Sequence, residues 1–511
     1  MGNTAVTVGN VGNKQRISGD VNMDSIPISK MTDGQKRALE LMIHGKNVFL
    51  TGEAGTGKSE VVKAFIRMAE EDGKNLLITA PTGTAADNLH GETIHRCFDA
   101  KIGVQKNGRA LTERKDVLKA ADILIIDEIS MCRFDLFEYV ARRIVFENEE
   151  RSRDRMKRSI GYLDDAEVKE HDLQVIVLGD FYQLPPVITD DDRAELSSIY
   201  KFDFGKGYAF MSPYWQMLGF EGIILTEIIR QEDIAFKQIL SEVRQANQNS
   251  KNLCIDFLMR NSSSFPMTDD ESIFLVPTNK KCNELNAREM EKLSTKPGTY
   301  YSKVEGDVNS SDKFAEDEIL LKEGCKVMMT VNDSARKFVN GSMGIVKKLR
   351  NETVDILLED GTLVTVGDTT KEITKPVVKE KKVKRIMKEA TLGEDGQPKV
   401  DSNGDVIMHD VLREVTEEEI VHEKVGTFSQ IPVRVAYAIT IHKSQGKTFS
   451  KINLDPYAWD DGQFYTALSR GKTLENIFFM QSIRPSFIKT SAEVKRFMKD
   501  IQKNSKGLIE V

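Results

Sequence analysis

The sequence predicts an α/β protein with two parallel-sheet domains, the second interrupted by a small β barrel. Three observations predict it. In the first half, the short apolar runs NVFL (47–50), LLITA (76–80), ILII (123–126) and VIVL (175–178) each stop at a polar or Gly/Pro site and alternate with helix-patterned stretches. That spacing describes βαβ units of a parallel sheet, with chemistry at the strands' C-terminal edge. From about 220 a second α/β pattern begins with IILTEIIRQ and continues into SIFLVPTNKKCNELN. Between about 318 and 430, apolar strands are broken by Asn-Gly, Asp-Gly and Gly-Asp turns, which are hairpin signals.

Taken in order, residues 1–30 are expected to form a flexible lead-in. They hold neither a secretory apolar block nor an Arg-rich amphipathic pattern, and Val6 stands where a myristoylation signal after Gly2 wants Ser or Thr. Residues 31–217 make the first domain, 218–317 and 431–511 the second, and 318–430 the insertion. The charged stretch 148–172 reads as a solvated helix or surface insertion. Within the β region, KEITKPVVKEKKVKRIMKEA carries eight Lys/Arg against three Glu. That excess fits either a long hairpin or arm that tracks phosphates, or a charged loop.

Composition narrows the class. A chain of 511 residues is too long for one core, and its 40% apolar and 30% charged residues are an ordinary balance for a protein without membrane spans. No run reaches the ~18 apolar residues that a spanning helix needs. Five scattered cysteines (Cys97, Cys132, Cys254, Cys282, Cys325), with no CxxC pair, point to a reducing compartment and away from disulfides or structural zinc. A net charge of −7 argues against a protein that passively coats nucleic acid. It leaves room for a narrow basic-lined channel, because screening confines the phosphate field to ~10 Å.

The chemistry concentrates in two elements. Gly52-Glu53-Ala54-Gly55-Thr56-Gly57-Lys58-Ser59, followed by Glu60, fits G-x-x-x-x-G-K-[ST] between a strand and a helix. Glycines let backbone N–H groups turn inward around phosphates, and the helix N-terminus adds partial positive charge. Lys58 is then placed to neutralise the β- and γ-phosphates of ATP, and Ser59 to ligate Mg2+. About 70 residues on, the apolar run Ile123–Ile126 ends in Asp127-Glu128. Asp127 suits Mg2+, and Glu128 suits a general base that takes a proton from the attacking water. Alone, these two elements identify a nucleotide hydrolase and nothing narrower. A phosphate-loop ATPase acting on protein or on a small molecule stays open at this point.

Further segments carry a resemblance. Ala80-Pro81-Thr82-Gly83-Thr84-Ala85-Ala86, Gly179-Asp180-Phe181-Tyr182-Gln183-Leu184-Pro185-Pro186-Val187, Arg230-Gln231, Thr440-Ile441-His442-Lys443-Ser444-Gln445-Gly446 and Tyr465-Thr466-Ala467-Leu468-Ser469-Arg470 occur in this order. Together they resemble the superfamily 1 helicases, and "GDFYQLPPV" and "AYAITIHKSQGKTF" are similar to the 1B branch: RecD, the phage Dda-type and above all the Pif-type (petite integration frequency) helicases.

The resemblance implies two RecA-like domains, an SH3-like β insertion, and a small wedge at 99–112 that splits the duplex. It implies that Gln35 contacts adenine, that Gln183 senses the γ-phosphate, and that Arg230 and Arg470 reach it across the domain cleft. Thr82, Thr84, Asn88, Thr93 and His95 on one domain, with Thr278, Asn279, Thr440, His442 and Lys443 on the other, correspond to a grip on single-stranded DNA. Phe98, Phe181 and Tyr182 are candidates for base stacking or strand separation.

The implied activity is ATP- and Mg2+-dependent unwinding of duplex DNA, moving 5′→3′ as a monomer on single-stranded or tailed DNA, in replication, recombination or repair. Single-strand-binding or replication proteins are the expected partners, and no membrane is. An RNA-directed motor stays open, since nothing plainly reads a 2′-hydroxyl. The stretch 365–420 is longer than the family pattern and 148–172 is less apolar, which favours the cytoplasm of a bacterial or phage-infected cell.

Overall fold

The computed structural model describes residues 27–105, 117–159, 168–229, 231, 233–333, 335–391, 398–401 and 406–506. Of the expected lead-in, 1–26 lie outside the described residues, and Ile28–Lys30 form a single exposed 3-10 turn.

Six parallel strands build the first lobe: β1 (Val48–Gly52), β2 (Leu76–Ala80), β3 (Glu92–Thr93), β4 (Ile123–Ile126), β5 (Gln174–Leu178) and β6 (Glu221–Leu225). Their order is β3-β2-β4-β5-β1-β6. The four apolar runs become strands because both faces of the sheet are covered. Val48, Leu50, Ile123, Ile125, Ile176 and Leu178 point to one side, against Val62, Phe65 and Ile66 of helix Lys58–Glu71. The alternate residues Phe49, Leu124, Ile126, Val175 and Val177 face Phe137, Val140 and Ile144 of helix Phe134–Ser159.

That same helix accounts for much of the charged 148–172 stretch. It is solvated as expected except at Arg151, which is buried and donates to the Leu118 and Ala121 carbonyls, each at 2.7 Å.

The boundary expected at 218 falls instead after 225. β6 pairs in parallel with β1, Val48 opposite Glu221 and Gly52 opposite Leu225, so IIL completes the first sheet rather than starting the second domain. The C-terminal helix Ala492–Lys506 also returns to the first lobe. Phe497 stacks on Phe210 with centroids 4.2 Å apart, and Ile501 closes over Gly222, where a side chain would collide with it.

The second lobe holds four parallel strands, ordered Ala438–Thr440, Ser272–Val276, Lys451–Leu454, Ile477–Phe479. The inserted module is a five-stranded antiparallel sheet, ordered Leu363–Gly367, Thr353–Leu358, Met343–Leu349, Lys326–Met329, Val433–Val435. It reaches beyond 318–430 at both ends. Val433–Val435 closes its sheet, and Gly298–Tyr301 pairs with Glu318–Leu321.

The basic stretch is one strand of a long hairpin, Thr369–Ala390 against Met408–Gln430. At ~3.3 Å per residue it extends about 70 Å. Its stem rests on the first lobe: Lys371 pairs with Asp87 at 2.7 Å, Lys375 pairs with Asp99, and Thr374 donates to Glu92 at 2.8 Å. Lys371 and Lys375 are therefore matched to carboxylates of their own chain. Among the described residues no helix is long and apolar enough to cross a membrane.

Candidate nucleotide and nucleic-acid site

The phosphate loop joins β1 to helix Lys58–Glu71. Gly55 and Gly57 take φ of 83° and 79°, which only glycine adopts without strain. A side chain on Gly57 would meet the Gln35 amide at 2.5 Å. Gln35 is buried. It closes a capping box with Thr32 and donates to the Thr56 carbonyl at 3.1 Å, so it braces the loop from behind. Lys58 Nζ donates inward to the Gly52 and Glu53 carbonyls at 3.0 and 3.1 Å, and Thr56 Oγ1 to Glu53 at 2.9 Å. Ser59 begins the helix beside Lys58, whereas Glu60 faces Lys63 at 3.0 Å.

β5 separates β1 from β4, so the Asp180–Gln183 loop enters between the phosphate loop and the acidic pair. Asp127 is buried, and its carboxylate accepts the Glu128 backbone N–H at 2.7 Å. Glu128 stands in the left-handed region with φ 48°, a strained turn directly after the end of β4. Burial, then the neighbouring Glu128 charge, pushes Asp127 well above the usual carboxylate range; burial also raises Glu128. A buried Asp127 carboxylate whose ionisation is opposed by burial and by the adjoining half-buried Glu128 is a group that a divalent cation relieves, so Asp127, with the Ser59 hydroxyl at the helix start, fits Mg2+.

The second lobe closes over this pocket. Gln445 donates to the Glu128 carboxylate at 2.9 Å, and the Tyr465 hydroxyl accepts the Ala54 N–H at 3.0 Å. Arg470 is fully buried. It donates to the Thr466 carbonyl and to Ser469 Oγ, each at 2.8 Å, and its charge, like that of Lys58, favours ionised Glu128. Arg230 lies outside the described residues; its neighbour Gln231 is buried and donates to the Ser469 and Gly471 carbonyls at 3.4 and 3.3 Å. Gln183 is buried and donates to Asp180 at 3.4 Å.

Gln445, Tyr465 and Arg244 are the residues to which sequence reasoning gave no role. The first two stand inside quoted motifs. Arg244, in helix Ile234–Gln245, carries no local signal and shows its partners only in the fold.

The strand-gripping candidates divide. Thr84, Asn88, Thr278, Asn279 and Lys443 are exposed, and His442 and His95 half-buried. Thr82 and Thr278 cap helices, accepting the Ala85 and Lys281 N–H groups at 3.3 Å. Thr93 and Thr440 are buried, their hydroxyls accepting the Arg96 and Lys443 N–H groups at 3.3 Å, so both shape turns rather than line a surface.

The aromatic candidates are corrected. Phe98 and Phe181 are 2% and 1% exposed in the first lobe's core, and Tyr182 lies beneath the Arg244 guanidinium at 4.1 Å. Phe181 and Tyr182 lie in the GDFYQLPPV motif and Phe98 three residues after His95, but the first lobe's core claims all three rings. The wedge expected at 99–112 is described only to Gln105, whose N–H donates to Asp135 at 2.8 Å; 106–112 lie outside the described residues. Ser311, in the connector before the β module, covers Gly83. Arg96 fastens that connector through Asp312 at 2.5 Å and Asp307 at 3.3 Å.

Comparison with known proteins decides the family. The profile of the PIF1-like helicases matches residues 30–253. An ATP-dependent DNA helicase Pif1 of Psychrobacter sp. is 32% identical over 87% of this chain and 67% of its own length. The chain belongs to the PIF1-like helicases. As a member of that family it is an ATP-hydrolysing DNA helicase. The crystal structure of Bacteroides sp. Pif1 with ADP-AlF4 superposes with a TM-score of 0.70 at 27% identity, covering 93% of this chain and 97% of that one. The same Bacteroides Pif1 bound to single-stranded DNA gives 0.61 at 27% identity, covering 93% and 98%. Like those PIF1-like structures, this one pairs two parallel-sheet lobes around a phosphate loop.

Proposed function

We propose that this helicase moves 5′→3′ along single-stranded DNA, driven by closure of its two lobes on ATP, and that the residues assembled above divide the work. The carrying observation is the pair of contacts from the second lobe onto the hydrolytic site: Gln445 on Glu128 and the Tyr465 hydroxyl on the Ala54 N–H. A site whose base and phosphate loop are both touched from the far lobe links chemistry to lobe position.

In this reading, Gln35 orients the adenine edge and the Gly52–Ser59 loop wraps the phosphates. Lys58 leaves the Gly52 and Glu53 carbonyls for the β/γ oxygens. Ser59 and Asp127 hold Mg2+, which when bound supplies positive charge to the phosphates. Glu128 receives the proton of the attacking water. Gln183, Arg230 and Arg470 meet the γ-phosphate, the arginines stabilising charge that develops on it. Thr84, Asn88, His95, Thr278, Asn279, His442 and Lys443 grip the strand backbone.

The 5′→3′ direction rests on family resemblance. It is tested by unwinding of duplexes carrying a 5′ or a 3′ tail, alongside ATP turnover with poly(dT), poly(U) and duplex. Unwinding of only the 3′-tailed duplex overturns the direction, and stimulation by poly(U) over poly(dT) overturns the DNA preference. A monomer as the moving unit, with single-strand-binding or replication proteins as partners, belongs to the same proposal. Five buried cysteines, none of them in a disulfide, support a reducing cytoplasm as its setting, and the departures of 148–172 and 365–420 from the family pattern favour a bacterial or phage-infected cell.

A further inference from the structure

Arg244 belongs to the second lobe, yet its side chain is spent on the first. It lies on helix Ile234–Gln245 and is 7% exposed. Nη2 donates to Asp180 Oδ1 at 2.8 Å and Nε to Oδ2 at 3.2 Å, while the guanidinium lies 4.1 Å above the Tyr182 ring. Asp180, wholly buried, also accepts the Tyr182 N–H at 3.2 Å and the Gln183 side-chain amide at 3.4 Å. Glu53 of the phosphate loop feels the Arg244 charge ahead of that of Lys58.

A buried ion pair is weak evidence of stability, because apolar packing often serves as well. This one stands where the lobes meet beside the hydrolytic pocket. Its two-pronged donation fixes the plane of a carboxylate in a way a lysine cannot, and the same carboxylate holds Gln183. Gly462 of the second lobe packs directly on the Tyr182 and Gln183 carbonyls, so both backbone and side chain of this loop are set from across the cleft.

We propose that Arg244 is a positioning residue for ATP hydrolysis: reaching from the second lobe, it fixes Asp180 and through it holds Gln183 ready for the γ-phosphate, making turnover depend on closure at this point. The inference rests on the role proposed above for Gln183. Arg244 itself touches no reacting atom in this account.

The test is ATP turnover by the full chain, with and without poly(dT), for Gln183→Ala, Asp180→Asn, Arg244→Lys and the Asp180→Asn/Arg244→Lys double variant. Thermal melting and poly(dT) affinity are measured on each. Expected are at least tenfold lower DNA-stimulated kcat per folded molecule in Gln183→Ala, Asp180→Asn and Arg244→Lys, less than threefold change in KM for ATP and in poly(dT) affinity, and a double variant no slower than the slower of Asp180→Asn and Arg244→Lys.

Normal kcat in Arg244→Lys overturns the proposal. So does a loss carried by KM, and so do losses that multiply in the double variant. A purely structural role lowers Tm and leaves kcat per folded molecule intact, which also overturns it. If Arg244→Lys does not fold, Asp180→Asn decides alone: it keeps shape and one acceptor oxygen, and its normal turnover is the overturning result. Unchanged turnover in Gln183→Ala removes the sensor role and this inference together. A slow Gln183→Ala beside a normal Arg244→Lys removes only the inference.

Discussion

Gln445 of the second lobe donates to the Glu128 carboxylate of the first at 2.9 Å, so the expected general base is held by the far side of the cleft. Removing the carboxylate while keeping its shape separates binding from chemistry. Glu128→Gln is expected to lower ATP turnover by about 10²–10⁴-fold, the usual worth of a positioned general base. Binding of a fluorescent ATP analogue should remain within a few-fold. Gln445→Ala should slow DNA-stimulated turnover more than basal turnover, because its contact exists only when the lobes meet. Equal slowing of both rates would place Gln445 outside the coupling between the lobes.

Tyr465→Phe isolates one hydroxyl. It deletes the acceptor for the Ala54 N–H, a buried contact between lobes, while keeping the ring in place. A neutral hydrogen bond of this kind contributes about 1 kcal/mol net. The nucleotide-free protein should therefore melt a few degrees lower, with kcat at saturating ATP retained within about threefold. A large kcat loss at unchanged Tm would mean that the hydroxyl takes part in the chemistry.

Arg96→Ala removes the cation that holds the connector before the β module against the first lobe. Arg96 is buried between Asp312, itself 8% exposed, and Asp307, so the substitution strands a buried carboxylate. Breaking a buried pair from one side costs on the order of 3–5 kcal/mol. A reduction in Tm of at least several degrees is expected by calorimetry. Asp307→Asn should cost much less, since that carboxylate is largely exposed and screened.

What was legible in the sequence was local. The phosphate loop could be read because its donors and glycines are contiguous, and the acidic pair because a buried strand delivers it. The hairpin could be read as a possibility but not decided: its stability comes from pairing over 22 positions and from the carboxylates Asp87, Glu92 and Asp99, which lie almost 300 residues away. The boundary near 218 failed because IIL is equally a last strand of one sheet or a first strand of the next, and only pairing with Val48–Gly52 distinguishes them. Phe98 and Phe181 failed for a related reason, since position along the chain does not report which way a ring points. Arg244 was invisible for a third reason. In ILSEVRQ it has the spacing of an ordinary helix-surface cation, and its partner Asp180 is 64 residues earlier.

Lys447 offers a test by pH. It follows Gly446 in the Gln445 segment. Its ammonium donates to Asn340 Oδ1 at 2.5 Å, and its carbonyl accepts Arg470 Nη1 at 3.4 Å. Burial, then the Arg434 charge, lowers it to about 8, whereas the unfolded chain holds that proton to about 10.4. Below about pH 8 both states are protonated and the folded state bears the whole cost of the buried charge. Between about 8 and 10.4 the unfolded state binds more protons, so the cost fades as pH rises. Above that window both are neutral and nothing is lost. Lys447→Met removes the titration together with the Asn340 hydrogen bond, and the latter is a pH-independent offset. Melting temperatures of the two proteins, compared from pH 7 to 10, should therefore shift steadily in favour of the lysine form above pH 8. A constant difference across that range would mean that the ammonium is solvated and carries no burial cost.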